Sequence, residues 1–187
     1  MKKLSLALVA TLSLSTTAFA QDLPKATAGS DGQIKFTGTV TEKGCTIVAG
    51  NSATIDLGSI AKGTLQKQKF GAWGTGEIKF VDCNLDVDDK DKLKAVTITI
   101  QPGKEATFGT NLWANNGNAQ GVGIEVEVGG SKGLAQIPPT GTPDPIEANI
   151  DAVNGTATYS IRGRMAGDTT VTAGSVETTI SFVASYK

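Results

Sequence analysis

Short runs of alternating polar and apolar residues are the feature that most restricts how this chain can fold. The runs are rich in β-branched and aromatic residues and are interrupted by Gly, Asn, Asp and Pro, which is typical of half-buried strands joined by turns. They predict an all-β protein, and about eight short strands favour a β-sandwich of immunoglobulin-like topology over a closed barrel. The predicted strands are residues 33–40, 45–48, 53–57, 77–83, 93–101, 122–128, 156–164 and 176–186.

Residues that tolerate a positive φ separate these runs. Turns are predicted at the Asn-rich segment 115–118, at Gly129-Gly130 and at Asn154-Gly155, and a proline-rich loop at 137–145. Asn154 also begins a glycosylation sequon, but the same triplet makes an efficient hairpin turn beside a strand, and the turn is favoured.

The N-terminus has the pattern of an export signal. Lys2 and Lys3 precede an apolar run at residues 4–14, and small residues flank a predicted cleavage point between Ala20 and Gln21. The run is shorter than the roughly 20 residues that span a bilayer. An exported chain is therefore expected.

The chain contains two cysteines, Cys45 and Cys83. Export places them in an oxidising compartment, where a disulfide is favoured. Two thiolates without histidine do not easily complete a tetrahedral zinc site, and a redox pair would more typically be a close Cys-x-x-Cys. The sequence predicts a structural disulfide.

Composition excludes several functional classes. The 187 residues include 17 Lys and Arg, 18 Asp and Glu, and no His, for a formal charge of −1. This charge gives no basis for binding nucleic acid or acidic lipid. Without histidine, the chain lacks the commonest general base and metal ligand, so neither an enzyme nor a cofactor is expected.

Three weaker motifs have simpler interpretations. Ser59-x-x-Lys62 matches a nucleophile motif, but its companion motifs are missing and the segment is predicted to follow a strand rather than open a helix. Trp73 and Trp113 could stack on a sugar, although burial at the ends of the sandwich is favoured. A dense acidic segment lacks EF-hand spacing and is interpreted as a solvated turn; it contains Asp86, Asp88, Asp89 and Asp91.

The two ends of the exported chain are unusual. The last predicted strand places large apolar side chains on one face and ends one residue before the C-terminus, so its open edge needs a cover. At the other end, a Gly/Ala-rich arm cannot bury a core of its own. Its even-numbered residues are all small or apolar: Ala26, Ala28, Ser30, Gly32, Ile34 and Phe36.

These residues together resemble the chaperone-usher pilins, with the rod subunits of type 1 and P pili closest in pattern. The resemblance covers essentially the whole exported chain. It is carried by Phe36-x-Gly38-x-Val40 before Cys45, Ile55-Asp56-Leu57-Gly58, Ile78-x-Phe80-x-x-Cys83, and the spacing of Gly174 from Tyr186.

The resemblance implies an incomplete immunoglobulin-like sandwich that lacks its final strand and is completed in trans by donor-strand complementation. It implies residues 1–20 as signal peptide, 21–35 as donor-strand extension and 36–187 as pilin domain. The family's close-approach glycine would fall on Gly32 or Gly29, and the even-face pattern favours Gly32. Contacts with chaperone and subunits would involve Gly174, Ile180, Phe182, Ala184 and Tyr186.

The partners implied are a periplasmic pilus chaperone, an outer-membrane usher and neighbouring identical or related pilins. The chain would pass through the periplasm to a fimbrium on the bacterial surface and serve as a non-enzymatic shaft subunit that supports adhesion. A minor or adaptor subunit is the alternative within the family. A monomeric exported carbohydrate-binding sandwich is the alternative outside it.

Overall fold

The computed structural model describes residues 44–48, 53–86, 88–141 and 143–187. All of them belong to one compact unit, Val40–Lys187. The predicted cleavage between Ala20 and Gln21, the predicted donor strand from Ala26 to Phe36 and the predicted strand 33–40 lie outside the described residues.

Ten strands and one short helix make up the described part of the chain, so the predicted all-β fold is confirmed. The elements are β1 Thr46–Ile47, α1 Lys62–Gln68, β2 Gly74–Val81, β3 Val96–Ile100, β4 Trp113–Ala114, β5 Val122–Gly130, β6 Gly133–Gln136, β7 Ile146–Glu147, β8 Asn149–Asp151, β9 Thr156–Gly167 and β10 Phe182–Tyr186. The larger antiparallel sheet has the order β1-β2-β9-β5-β4, with β6 paired to β5 and β8 paired to β9; the smaller has the order β10-β3-β7.

The core forms where the inner faces of the two sheets meet, as in an immunoglobulin-like sandwich. Phe80 and Tyr159 are fully buried, with their rings edge to face at 5.9 Å. The Tyr159 hydroxyl donates a 2.7 Å hydrogen bond to the carbonyl of Val96, which ties β9 to β3 across the sandwich. Burial raises the pKa of this hydroxyl well above its ordinary value.

The predicted disulfide is present and joins Cys45 to Cys83. It lies at the end of the ladder between β1 and β2, where Thr46 is paired with Val81. The end of the antiparallel ladder brings the two cysteines close, with their Cα atoms 4.4 Å apart, and the bridge fastens the short β1 to the core.

The predicted strand 53–57 is wrong in one respect: the segment joins no ladder. Its backbone instead lies over the inner face of β2, where Gly74 and Gly76 have no side chains. A Cβ on Gly74 would collide with the Asp56 carbonyl, and one on Gly76 with the Ile55 side chain. Sequence periodicity detected an extended segment but could not reveal that it packs on a sheet face.

The expectation that the segment after Ser59 does not open a helix is also wrong, because α1 begins at Lys62. Leu65 anchors this helix and is 2% exposed. Its side chain occupies the space that a Cβ on Gly167 would need. The helix is only two turns long, so tertiary packing rather than a strong sequence signal accounts for it.

Two further predicted strands are shorter in the structure. The run 93–101 enters the ladder only at Val96, because Leu93 pairs in an isolated bridge with Leu85. The run 176–186 enters it only at Phe182. Among the described residues, no helix is long and apolar enough to cross a membrane.

Candidate functional site

A long apolar groove of about 1290 Å³ lies between the extended segment 53–60 and the C-terminal segment 172–184. The first wall is irregular, the second is irregular until β10 begins at Phe182, and the floor consists of inward-facing side chains of the sheets. The floor residues include Ile78, Ile100, Ile124, Val126, Val128, Ile161 and Met165.

From Val176 to Tyr186 the C-terminal wall and the rest of β10 alternate strictly in exposure. Side chains on the inner face are half-buried and those between them are exposed. Inward-facing residues of a closed sandwich are normally fully buried, so this wall is only partly covered. The half-buried residues are Val176, Thr178, Ile180, Phe182, Ala184 and Tyr186.

The backbone of this wall is paired on one side. β10 forms an antiparallel ladder with β3, from Phe182 opposite Ile100 to Tyr186 opposite Val96. No other described strand pairs with the opposite edge of β10. Unpaired backbone N–H and C=O groups beside exposed apolar side chains can accept a further extended strand.

Four of the five predicted contact residues meet in this groove. Gly174, Ile180, Phe182 and Ala184 line it, whereas Tyr186 lies beyond its end. The Tyr186 ring is edge to face with Phe80 at 6.4 Å, and its hydroxyl is 3.5 Å from the carbonyl oxygen of Cys45. Tyr186 therefore fastens the last strand to the disulfide end of the domain.

Gly174 has a second role that the sequence did not reveal. A Cβ at this position would lie 2.6 Å from the Ala119 amide nitrogen and closer still to the side-chain oxygen of Asn118. The segment 115–119 thus packs directly on the C-terminal wall. Its asparagines were interpreted only as turn residues, and their spacing contained no signal for a contact with residues so distant in sequence.

The chemistry of the groove suits binding rather than catalysis. Among the described residues that line it, four are charged: Asp56, Lys62, Arg162 and Glu177. In the described ranges, no group of three His, Cys, Asp or Glu side chains could hold a metal ion. An apolar channel with an unpaired backbone edge fits an extended peptide with apolar side chains on one face.

Ser59 and Lys62 of the nucleophile motif line the groove, whereas the other motifs lie outside it and have structural roles. In the acidic segment, Lys92 lies 3.3 Å from Asp86 and 3.9 Å from Asp89. The Asp88 amide and the Lys92 side chain hold the pKa of Asp86 below its ordinary value. Asn154 and Gly155 lie in the turn between β8 and β9, as predicted.

The two tryptophans form no common sugar platform. Trp113 is 2% exposed and donates a 2.8 Å hydrogen bond to the carbonyl of Ile137. Trp73 is half-buried, and the guanidinium carbons of Arg162 and Arg164 each lie 4.3 Å from the centre of its ring. The arginines are in turn paired with Glu127 and Glu125 on β5, each at 2.6 Å.

Comparison with known proteins gives a consistent result. Residues 34–187 match the family model described as fimbrial protein. No curated protein matches the chain.

Two solved structures resemble the fold. One is a chaperone-usher pilus studied for rod uncoiling, with a TM-score of 0.59 at 18% identity, covering 86% of this chain and 98% of that one. The other is the P pilus rod subunit PapA, with a TM-score of 0.51 at 16% identity, covering 76% of this chain and 99% of that one. At these identities the likeness establishes the fold.

Proposed function

The chain belongs to the fimbrial protein family, and we propose that it joins its neighbours head to tail by donor-strand exchange. Members of this family are structural pilus subunits rather than enzymes. The proposal concerns how one subunit holds the next. The observation that carries it is the apolar groove beside the edge of β10 with which no other described strand pairs.

The occupant of the groove is the N-terminal arm of another copy of the chain or of a related pilin. The arm's even-numbered residues from Ala26 to Phe36 are small or apolar. In an extended strand they share one face, which can lie on the apolar floor of the groove while the other face points to solvent. Ile34 contributes most if it enters the groove, since burying a large aliphatic side chain gains about 1.5–3 kcal/mol. Gly32, or alternatively Gly29, is the position at which the backbone of the arm comes closest to the groove.

This contact generates a filament. The arm and the groove are different surfaces of the same molecule, so each subunit donates to one neighbour and accepts from another. A head-to-tail contact that does not close on itself grows without limit. The arm comprises residues 21–35, after cleavage of the signal peptide at Ala20, and the pilin domain comprises 36–187.

Before assembly the open edge needs a temporary cover, because exposed strand edges aggregate. A periplasmic chaperone would supply it by adding its own strand beside Ile180, Phe182 and Ala184. An outer-membrane usher would then exchange that strand for the next arm. The finished fibre would be extracellular, with this chain as a shaft subunit supporting adhesion. A minor or adaptor subunit would use the same groove.

The test compares variants on opposite faces of the arm. Ile34→Asp places a charge on the apolar face, and Gln33→Asp places the same charge on the other face. Material sheared from cells is run on a denaturing gel with and without boiling, because the survival of oligomers reports kinetic stability. We expect a ladder of oligomers for the parent and for Gln33→Asp, and none for Ile34→Asp.

Deleting residues 21–32 provides the stricter experiment. The expected result is loss of polymer with the chaperone complex retained, because the groove and β10 are unchanged. A normal ladder from the deletion variant would refute the proposal. A parent chain that runs as a monomer with and without boiling would instead favour an exported carbohydrate-binding domain, for which a glycan screen is the next experiment.

A further inference from the structure

We propose that Asn115 and Asn118 are positioning residues that hold the C-terminal wall of the groove ready for the incoming strand. The two asparagines lie outside the predicted contact set, and they act through Ser175 and Glu177. The inference rests on the proposed function, because it assigns them a role in the same groove.

Asn118 grips Ser175 through three hydrogen bonds. Its side-chain oxygen accepts from the backbone N–H of Ser175 at 2.5 Å and from the Ser175 hydroxyl at 3.0 Å. Its own backbone N–H donates to the same hydroxyl at 3.1 Å. No hydrogen bond is formed by the Asn118 side-chain NH₂ within the described residues, so only the oxygen of this amide engages the wall.

Asn115 uses both ends of its amide. The oxygen accepts from the backbone N–H of Gly117 at 2.9 Å and of Glu177 at 2.8 Å. The nitrogen donates to the carbonyl of Ala119 at 2.8 Å and of Ser175 at 3.3 Å. The partners fix the orientation of the amide, since two donors face the oxygen and two acceptors face the nitrogen.

Two glycines make this close approach possible. A Cβ on Gly117 would collide with the Ser175 carbonyl, and a Cβ on Gly174 would lie 2.6 Å from the Ala119 amide nitrogen. The backbones add two hydrogen bonds of their own, from Asn116 to Glu177 at 2.7 Å and from Ala119 to Ser175 at 3.1 Å. We call this contact, between residues 115–119 and 174–177, the asparagine clasp.

The clasp matters because it acts where the wall has no ladder. Regular pairing with β3 begins only at Phe182, yet Val176 and Ile180 already line the groove. At the N-terminal end of the wall, the backbone N–H of Thr172 donates a hydrogen bond to the carbonyl of Gln120. Between these points the clasp holds the wall. If the wall leaves its position, the fraction of chains able to accept a strand falls, and the apparent affinity falls by the same factor.

The different uses of the two amides give a discriminating test. Asn118→Asp keeps the acceptor oxygen, so the clasp should survive. Asn115→Asp replaces the donor nitrogen with a second oxygen, which faces the carbonyls of Ala119 and Ser175 and repels them. A role confined to the size of the side chain would make the two substitutions equivalent.

The experiment uses the chain from Gln21 at nanomolar concentration, with a fluorescent synthetic peptide of residues 21–36 as the probe. Binding is measured by anisotropy, and global stability by urea unfolding followed by circular dichroism. The variants are Asn115→Ala, Asn118→Ala and the two aspartate substitutions. Asn154→Ala is the matched control, because Asn154 lies in a hairpin turn outside the groove and bonds Asp151.

We expect about tenfold weaker peptide binding for both alanine variants and for Asn115→Asp, which is the effect of losing one or two hydrogen bonds. Asn118→Asp and Asn154→Ala should stay within about twofold of the parent. Equal binding by all five variants overturns the inference while leaving the proposed function intact. A lower unfolding midpoint with unchanged peptide affinity also overturns it. Failure of the parent chain to bind the peptide overturns both.

A second measurement avoids variants that fail to fold. In the unmodified chain without peptide, the amide protons of Ser175 and Glu177 should exchange with solvent far more slowly than in an unfolded peptide, because the clasp occupies both donors. Exchange at the rate of an unfolded peptide would mean that the wall is not held before the donor strand binds, and it would refute the inference.

Discussion

Gly174→Ala tests the packing of the groove wall with a single methyl group. The new Cβ would lie 2.6 Å from the Ala119 amide nitrogen and even closer to the Asn118 side-chain oxygen. Real Cβ atoms do not come so close to other heavy atoms, so the wall and the segment 115–119 must separate. That separation lengthens the hydrogen bonds between Asn118 and Ser175.

The size of the effect follows from these contacts. Forcing an extra carbon into a well-packed site costs about 1–3 kcal/mol of unfolding free energy. For a domain of this size, that corresponds to a fall of about 2–12 °C in the melting temperature. Thermal unfolding followed by circular dichroism measures the fall directly.

Two other Gly→Ala substitutions serve as controls. Gly63, in α1, has no atom within 4 Å of its would-be Cβ and no positive φ, so Gly63→Ala should raise stability by about 0.4–1 kcal/mol. Gly133 has equal space but a φ of +85°, so Gly133→Ala should cost about 1–2 kcal/mol through its backbone alone. An unchanged melting temperature for Gly174→Ala would refute the argument and would assign Gly174 a role in partner contact only.

Two further predictions concern the core. Cys45→Ser should lower the unfolding free energy by about 4 kcal/mol in the chain-entropy model for a separation of 38 residues; comparing urea unfolding of this variant with that of Cys83→Ser checks that the loss belongs to the bridge rather than to one thiol. Tyr159 holds its proton more tightly in the folded chain, so its contribution to stability is complete below the ordinary pKa of 10.0 and is lost as the pH rises above it. Absorbance at 295 nm should show Tyr159 ionising together with unfolding, and ionisation without loss of structure would contradict its burial.

The sequence predicted best what depends on a period of two. Strands β2, β5 and β9 were all expected near their observed positions, because their apolar residues alternate against one core. The bridge between Cys45 and Cys83 was also expected, since an exported chain favours disulfides and these are its two cysteines.

The sequence predicted least well what depends on contacts across the fold. The two-residue β4 and β7 are too short to show a period. The segment 53–57 looked like a strand because it is extended, but the glycines that draw it onto β2 are distant in sequence. The asparagine clasp is the same kind of feature, since Asn118 and Ser175 are 57 residues apart in sequence and only the fold brings them together.

The proposed assembly follows from apolar side chains in the groove that the domain leaves partly exposed. Phe182 and Ile180 remain half-buried on the groove face, and covering the exposed part of each would gain a fraction of the about 1.5–3 kcal/mol that full burial of such a side chain provides. A free strand would provide this cover only in proportion to its concentration. In a bound arm, the residues that remain in place hold a locally displaced residue beside the groove, which gives that residue a high effective concentration. Leaving the fibre then requires the arm to come out along its whole length, so we expect resistance to dissociation to depend on clasp residues such as Asn118 as well as on the arm.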